Sequence, residues 1–285
     1  MGKKKSKGVF YYVWMLFYYV GLAVFYVIKY LFKGIFAIFK FGAKKTASAV
    51  RKSAEKRAAA KAEKAKPKIT AKYVGLKEVK AISGDLKQFE HKLLHSESTI
   101  GIILGARGTG KSAIGMRLLE NVHASTGRSV FAMGFNPEDL PSWINVVDSI
   151  DQISNDSFVL VDEGGITFSS RKSMSNANQL LSSLLLIARH KNISVLFITQ
   201  NSSNLEVNVL RQADFLILKP SSLLQKDFER KIIKELYESV EPDFDKLEGT
   251  KGLTYIHSDS YRGFATNELP SFWSSRVSKA FKEKK

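Results

Sequence analysis

Residues 105–112 read GARGTGKS, which fits G-x-x-x-x-G-K-[ST]. The apolar run 99–104 leads into this stretch and a helical pattern follows it. Strand, spacing and helix agree, and that agreement separates a phosphate-binding loop from a chance match. Gly105, Gly108 and Gly110 let the backbone turn tightly, so that successive N–H groups face inward and the helix N-terminus adds its positive dipole end. Lys111 is placed to reach the β- and γ-phosphate oxygens of ATP, and the Ser112 hydroxyl to ligate Mg²⁺. Two carboxylates, Asp162 and Glu163, close the run FVLVDE. The first suits the Mg²⁺ shell and the second the attacking water, as orienter or base. Gln200 closes SVLFITQ. Its carboxamide can accept from the water and donate to the γ-phosphate at once, which makes it a candidate sensor of that phosphate.

These residues need a scaffold that gathers strand ends. Short apolar runs at 99–104, 129–133, 158–161, 193–199 and 215–218 alternate with helical segments, which argues for a parallel sheet covered on both faces. Ligands of such sheets sit at the carboxyl ends of the strands. The helix after the loop, over 111–124, places Ile114, Leu118 and Val122 on one face, with Gly127 to end it. A capped helix is expected over 83–94, a lid or subunit-contact helix over 223–239, a hairpin from 253–257 and 261–266, and a closing helix over 271–282. The fold class expected is α/β: a P-loop NTPase of RecA/ASCE type, with a parallel sheet flanked by helices, preceded by an N-terminal transmembrane helix and a basic linker.

The chain of 285 residues has a net charge of +17, which at first suggests a nucleic-acid binder. Its distribution changes that reading. Of 44 basic and 27 acidic residues, 17 and 2 lie within 1–68, leaving a nearly neutral 27 and 25 for 69–285. Cysteine is absent, which excludes disulfides and thiolate metal sites. After a basic tail at 1–8, residues 9–28 carry no charge and include eleven Val, Ile, Leu or Phe. Each of these is worth roughly −0.3 to −0.6 kcal/mol at a bilayer centre, against roughly +3 for a lysine, so a membrane span over 9–28 stopping near Lys29 is expected. Lys29, Lys33, Lys40 and Lys44 form one stripe of a helix, which makes 29–43 an interfacial amphipathic helix or a continuation with snorkelling lysines. The Ala/Lys-rich linker 44–68 holds ten basic and two acidic residues. The ATPase domain is then 69–285. The heavier C-terminal flank of positive charge places that domain on the cytoplasmic side of a single-pass membrane protein, with a re-entrant segment as the open alternative.

GARGTGKS, FVLVDE, ARHKNISVLFITQ and VLRQADFLILK together resemble, in order and spacing, the FtsK/HerA superfamily of DNA-translocating ATPases. Within it they are most similar to zonula occludens toxin-like phage morphogenesis proteins and viral genome-packaging ATPases. The resemblance spans about 99–220, and its specific parts are Asp162-Glu163, Arg171, the Arg189-His190 pair and Gln200. It implies ring hexamers in which an arginine of one subunit completes the neighbour's ATP site. Arg189 fits that role best, with Arg171 and Arg211 as runners-up. His190 has no metal-site spacing around it and is assigned no chemistry. The span preceding the ATPase domain departs from the toxin-like proteins, which usually carry it afterwards.

The function expected is a membrane-anchored oligomeric ATP hydrolase that moves or packages double-stranded DNA. Two alternatives stay open: a morphogenesis or secretion motor acting on protein, with coat or assembly proteins as partners, and a slow ATP-binding switch. A GTPase is disfavoured by the lack of an NKxD-like stretch after the fourth expected strand.

Overall fold

A computed structural model describes residues 69–162 and 174–278, together with ten positions between 14 and 33. The chain divides into two compact units, Met1–Lys64 and Ala65–Lys285. In the first, the described positions are all helical and recur three to four residues apart, as one helix face would. Trp14 stacks on Tyr18 with centroids 5.7 Å apart, and Lys29 Nζ lies 5.8 Å from the centre of the Tyr26 ring. Most of the expected span 9–28, and all of the tail 1–8 and linker 44–68, lie outside the described residues. Among the described residues no helix is long and apolar enough to cross a membrane.

The second unit is built on nine strands: β1 (Lys77–Gly84), β2 (Ile100–Leu104), β3 (Val130–Met133), β4 (Ile144–Val146), β5 (Phe158–Asp162), β6 (Ser194–Ile198), β7 (Phe215–Leu218), β8 (Leu253–Ser258) and β9 (Tyr261–Thr266). Their order is β1-β9-β8-β7-β2-β6-β5-β3-β4. The sheet is mixed, which corrects the expectation of a parallel one. Strands β7-β2-β6-β5-β3-β4 are parallel, while β8, β9 and β1 extend the sheet antiparallel from β7. Within this extension the two-residue connection between β8 and β9 can only join antiparallel neighbours.

Seven helices are described: α1 (Leu86–His95), α2 (Lys111–Thr126), α3 (Met174–Ala188), α4 (Val207–Arg211), α5 (Leu223–Phe228), α6 (Lys231–Lys246) and α7 (Ser275–Ser278). Alternate residues of the central strands feed two cores. Ile103, Leu160, Leu196 and Ile198 pack with Ile114, Leu118 and Val122 of α2 on one face. Ile102, Leu104, Val159, Val161 and Phe197 pack with Leu181, Leu184, Ile233 and Tyr237 on the other. The helix expected over 223–239 is two helices, because Glu229 leaves the helical path and turns inward to accept from the Ser202 N–H at 2.7 Å and from the Ser202 hydroxyl. The closing helix is described only for Ser275–Ser278.

A buried network locks α2 to segments from both ends of this unit. Arg117 pairs with Glu120 at 2.9 Å, with both side chains nearly inaccessible. Glu120 accepts from the N–H groups of Lys72 and Ser271, each at 3.0 Å, and from the Ser271 hydroxyl. Arg117 donates to the carbonyls of Lys72, Glu268 and Leu269. Asn121 clasps both the N–H and the carbonyl of Val74, at 3.0 and 2.8 Å. Each buried polar atom here has a partner, the condition under which such a network can be kept inside.

Candidate active site

The phosphate loop leaves β2 at Leu104 and enters α2 at Lys111. Gly105, Gly108 and Gly110 have φ of +150°, +83° and +91°, the region side chains avoid. Gly105 is also cramped: a Cβ there would lie 2.6 Å from Lys219 Cβ. Gly110 caps α2 without a side-chain bond, so the first turn presents its N–H groups uncapped by any side chain. The Lys111 ammonium is folded back onto the loop, donating to the carbonyls of Gly105 and Ala106, both at 2.8 Å. Burial lowers its pKa to about 8, against an opposing pull from Asp162.

Strand register brings the second motif alongside. Ile103 pairs with Ile198, and Ile198 with Asp162, so the three stand on one rung two residues before Gly105. The Ser112 hydroxyl donates to Asp162 Oδ2 at 3.3 Å, and Asp162 is 6% exposed. A hydroxyl and a carboxylate in contact are two oxygen ligands of the kind Mg²⁺ takes while keeping most of its waters. Among the described residues there is no cluster of three or more metal-binding side chains. The uncapped helix start, the Lys111 ammonium held only by loop carbonyls among the described residues and the Ser112–Asp162 pair all fit a magnesium-bound triphosphate.

Gln200 lies two residues beyond β6, the strand between β2 and β5, and therefore shares this sheet edge. Its side chain is exposed, and its carbonyl accepts from the Gln225 carboxamide of α5. Glu163 and Arg171 lie outside the described residues. Arg189 and Arg211 are exposed and precede β6 and β7, on the amino edge of the sheet. The five residues of β6 span about 16 Å, so neither arginine reaches the loop of its own chain. Lys219, buried against Gly105, is a neighbour that the sequence reading missed. No short-range pattern marks it, since its contacts come from β8, β9 and the loop.

Residues 136–251 match the model of the Zonular occludens toxin (Zot) family, a stretch that starts after the phosphate loop and takes in Asp162, Arg189, Gln200 and Arg211. Over that stretch the chain is similar to Zot proteins. Among solved structures, the chain is similar to the genome packaging NTPase B204 of Sulfolobus turreted icosahedral virus 2 in complex with AMPPCP, at 15% identity and TM-score 0.42, over 61% of this chain and 99% of that one. It is similar to the pCW3 conjugation coupling protein TcpA at 11% identity and TM-score 0.42, over 62% of each chain. It is also similar to EccC of Thermomonospora curvata, at 14% identity and TM-score 0.42, over 66% of this chain and 41% of that one. A search of the curated proteins finds no match.

Proposed function

We propose that this ATPase is a membrane-anchored, oligomeric motor that couples ATP hydrolysis to the translocation or packaging of double-stranded DNA. The observation that carries the ATP site is the Ser112–Asp162 contact, 3.3 Å long, beside Lys111 and on the same sheet edge as Gln200. Gly105, Gly108 and Gly110 shape the cradle, Lys111 neutralises the terminal phosphates, and Ser112 with Asp162 holds Mg²⁺, which supplies charge stabilisation when bound. Glu163, next along the chain, orients or deprotonates the attacking water, and Gln200 senses the γ-phosphate. Arg189 acts from a neighbouring subunit, a reading supported by its position beyond reach of its own loop, with Arg171 and Arg211 as the other candidates. A ring, taken as a hexamer from the motif resemblance, supplies that neighbour.

DNA as the polymer is supported by the order of the motifs, which resembles that of DNA-translocating ATPases. Anchoring is supported by the twenty uncharged residues 9–28 and by the lysine stripe that follows, with the ATPase unit on the cytoplasmic side. The test uses the full chain in lipid nanodiscs. ATP turnover that rises with double-stranded DNA at low salt, and falls as salt is added, supports the DNA motor. Turnover indifferent to DNA overturns it in favour of a protein-moving machine. Glu163→Gln is expected to keep ATP binding and lose hydrolysis, and unchanged turnover would remove the base assignment.

A further inference from the structure

Gln200 opens the loop that joins β6 to α4. The Thr199 N–H just before it donates to Ile103 O at 3.0 Å, so the loop starts beside the strand that delivers the phosphate loop. The Gln200 side chain is exposed and makes no bond among the described residues, so its aim is set by its backbone. Beyond Thr199 and the loop itself, the hydrogen bonds of 200–205 all go, among the described residues, to 225–230. The Gln225 carboxamide donates to the Gln200 carbonyl and, at 3.1 Å, to Glu229 Oε1. Glu229 Oε2 accepts from the Ser202 N–H at 2.7 Å and from the Ser202 hydroxyl. The Ser203 hydroxyl donates to Phe228 O, and the Arg230 guanidinium donates to Ser202 O at 3.1 Å and to Leu205 O at 2.6 Å.

Glu229 is the centre of this clasp. It is 7% exposed, and among the described residues no lysine or arginine forms an ion pair with it. Its donors are neutral groups of Ser202 and Gln225. Ending α5 at this point needs no carboxylate, since a glycine or a proline ends a helix without burying a charge. What the charge adds is strength and direction in the bonds it accepts. The clasp also comes from a different connection, the one after β7, and continues into α6, which buries Ile233, Tyr237, Val240 and Phe244. The loop that bears Gln200 is therefore tied to an element seated firmly in the core.

We propose that Gln225 and Glu229 are positioning residues for ATP hydrolysis: they hold the backbone of 200–202 so that the Gln200 carboxamide meets the γ-phosphate and the attacking water in one geometry. The inference rests on the reading of Gln200 as the sensor of that phosphate. Both residues act through Gln200. With the Gln200 carbonyl pinned, the direction in which its side chain leaves the backbone is fixed, and only the side-chain torsions remain to be set when the nucleotide arrives. Releasing the carbonyl lets the carboxamide wander, and a misplacement of about 1 Å can cost about 10² in rate without touching ground-state binding.

The experiment uses the full chain in lipid nanodiscs and compares wild type with Gln225→Leu, Gln200→Ala and the double variant. Gln225→Leu is expected to bind Mg²⁺-AMPPCP within about twofold of wild type and to cleave ATP about tenfold more slowly in a single turnover. In the free protein its amides over 200–205 are expected to exchange hydrogen faster. In the Gln200→Ala background the same substitution is expected to change cleavage by less than about twofold, because nothing is left for Gln225 to place. Glu229→Gln turns an amide N–H toward the Gln225 donor or toward Ser202, and is expected to slow cleavage with AMPPCP affinity kept. Cleavage losses that multiply in the double variant, unchanged cleavage or exchange in Gln225→Leu, or AMPPCP affinity lost along with cleavage each overturn the inference. Wild-type cleavage by Gln200→Ala removes the sensor reading and the inference with it, whereas a slow Gln200→Ala beside a wild-type Gln225→Leu removes the inference alone.

Discussion

Lys111 bonds to two carbonyls of its own loop, and phosphate oxygens can replace those carbonyls at the cost of one side-chain rotation. Lys111→Ala is therefore expected to lower kcat/KM by about 10² to 10³, the usual loss for one preorganised donor, measured by steady-state turnover. The loop glycines separate two effects. A Cβ at Gly108 meets nothing, so Gly108→Ala pays only for its left-handed backbone, about 1 to 2 kcal/mol. Gly105→Ala adds the collision with Lys219 and is expected to cost more, with urea denaturation of the two variants giving the order. Lys111, Ser112 and Asp162 were legible in the sequence because each sits at a fixed offset from a strand or helix end. Lys219 was not, because nothing within five residues of it distinguishes a buried lysine from a solvated one.

At the scale of elements, the central strands were legible from their unbroken apolar runs, and the β8–β9 hairpin was expected from 253–257 and 261–266, one residue short of the observed β8. Two edge strands escaped. β4 is three residues long, and β1 is exposed at every position, so neither carries the apolar run that marks a central strand. Their pairing comes from backbone hydrogen bonds to β3 and β9, which only the assembled sheet supplies. The break between α5 and α6 escaped for a similar reason: local propensity favours one helix, and the buried Glu229–Ser202 bonds override it. Breaking a buried ion pair leaves one charge stranded, so Glu120→Ala is expected to lose about 3 to 5 kcal/mol in urea denaturation. A loss below about 1 kcal/mol, the surface range, would show that Arg117 finds another partner.

At the scale of the molecule, the two described candidate arginines lie on the sheet edge opposite the loop, so any use of them in hydrolysis joins separate copies. Lys111→Ala and Arg189→Ala proteins are each expected to lose most turnover and to recover it when mixed, because a mixed interface pairs an intact loop with an intact arginine. Mixed samples that stay inactive would count against Arg189. The concentration of charge in residues 1–68 carries a second expectation. Binding of the full chain to anionic lipid vesicles is expected to weaken, without vanishing, between low and high salt, since salt screens lysines and leaves apolar insertion intact. Binding abolished by salt would mean that 9–28 contributes nothing to attachment.

Glu120 draws its hydrogen-bond donors from residues 72 and 271 as well as from Arg117, and this limits how the second unit can be shortened. Cutting the chain after residue 74, or ending it before 270, strips donors from a carboxylate that water cannot reach. The penalty falls on the helix whose first turn forms the phosphate loop. A fragment that keeps this network must therefore begin ahead of Lys72 and run past Ser271.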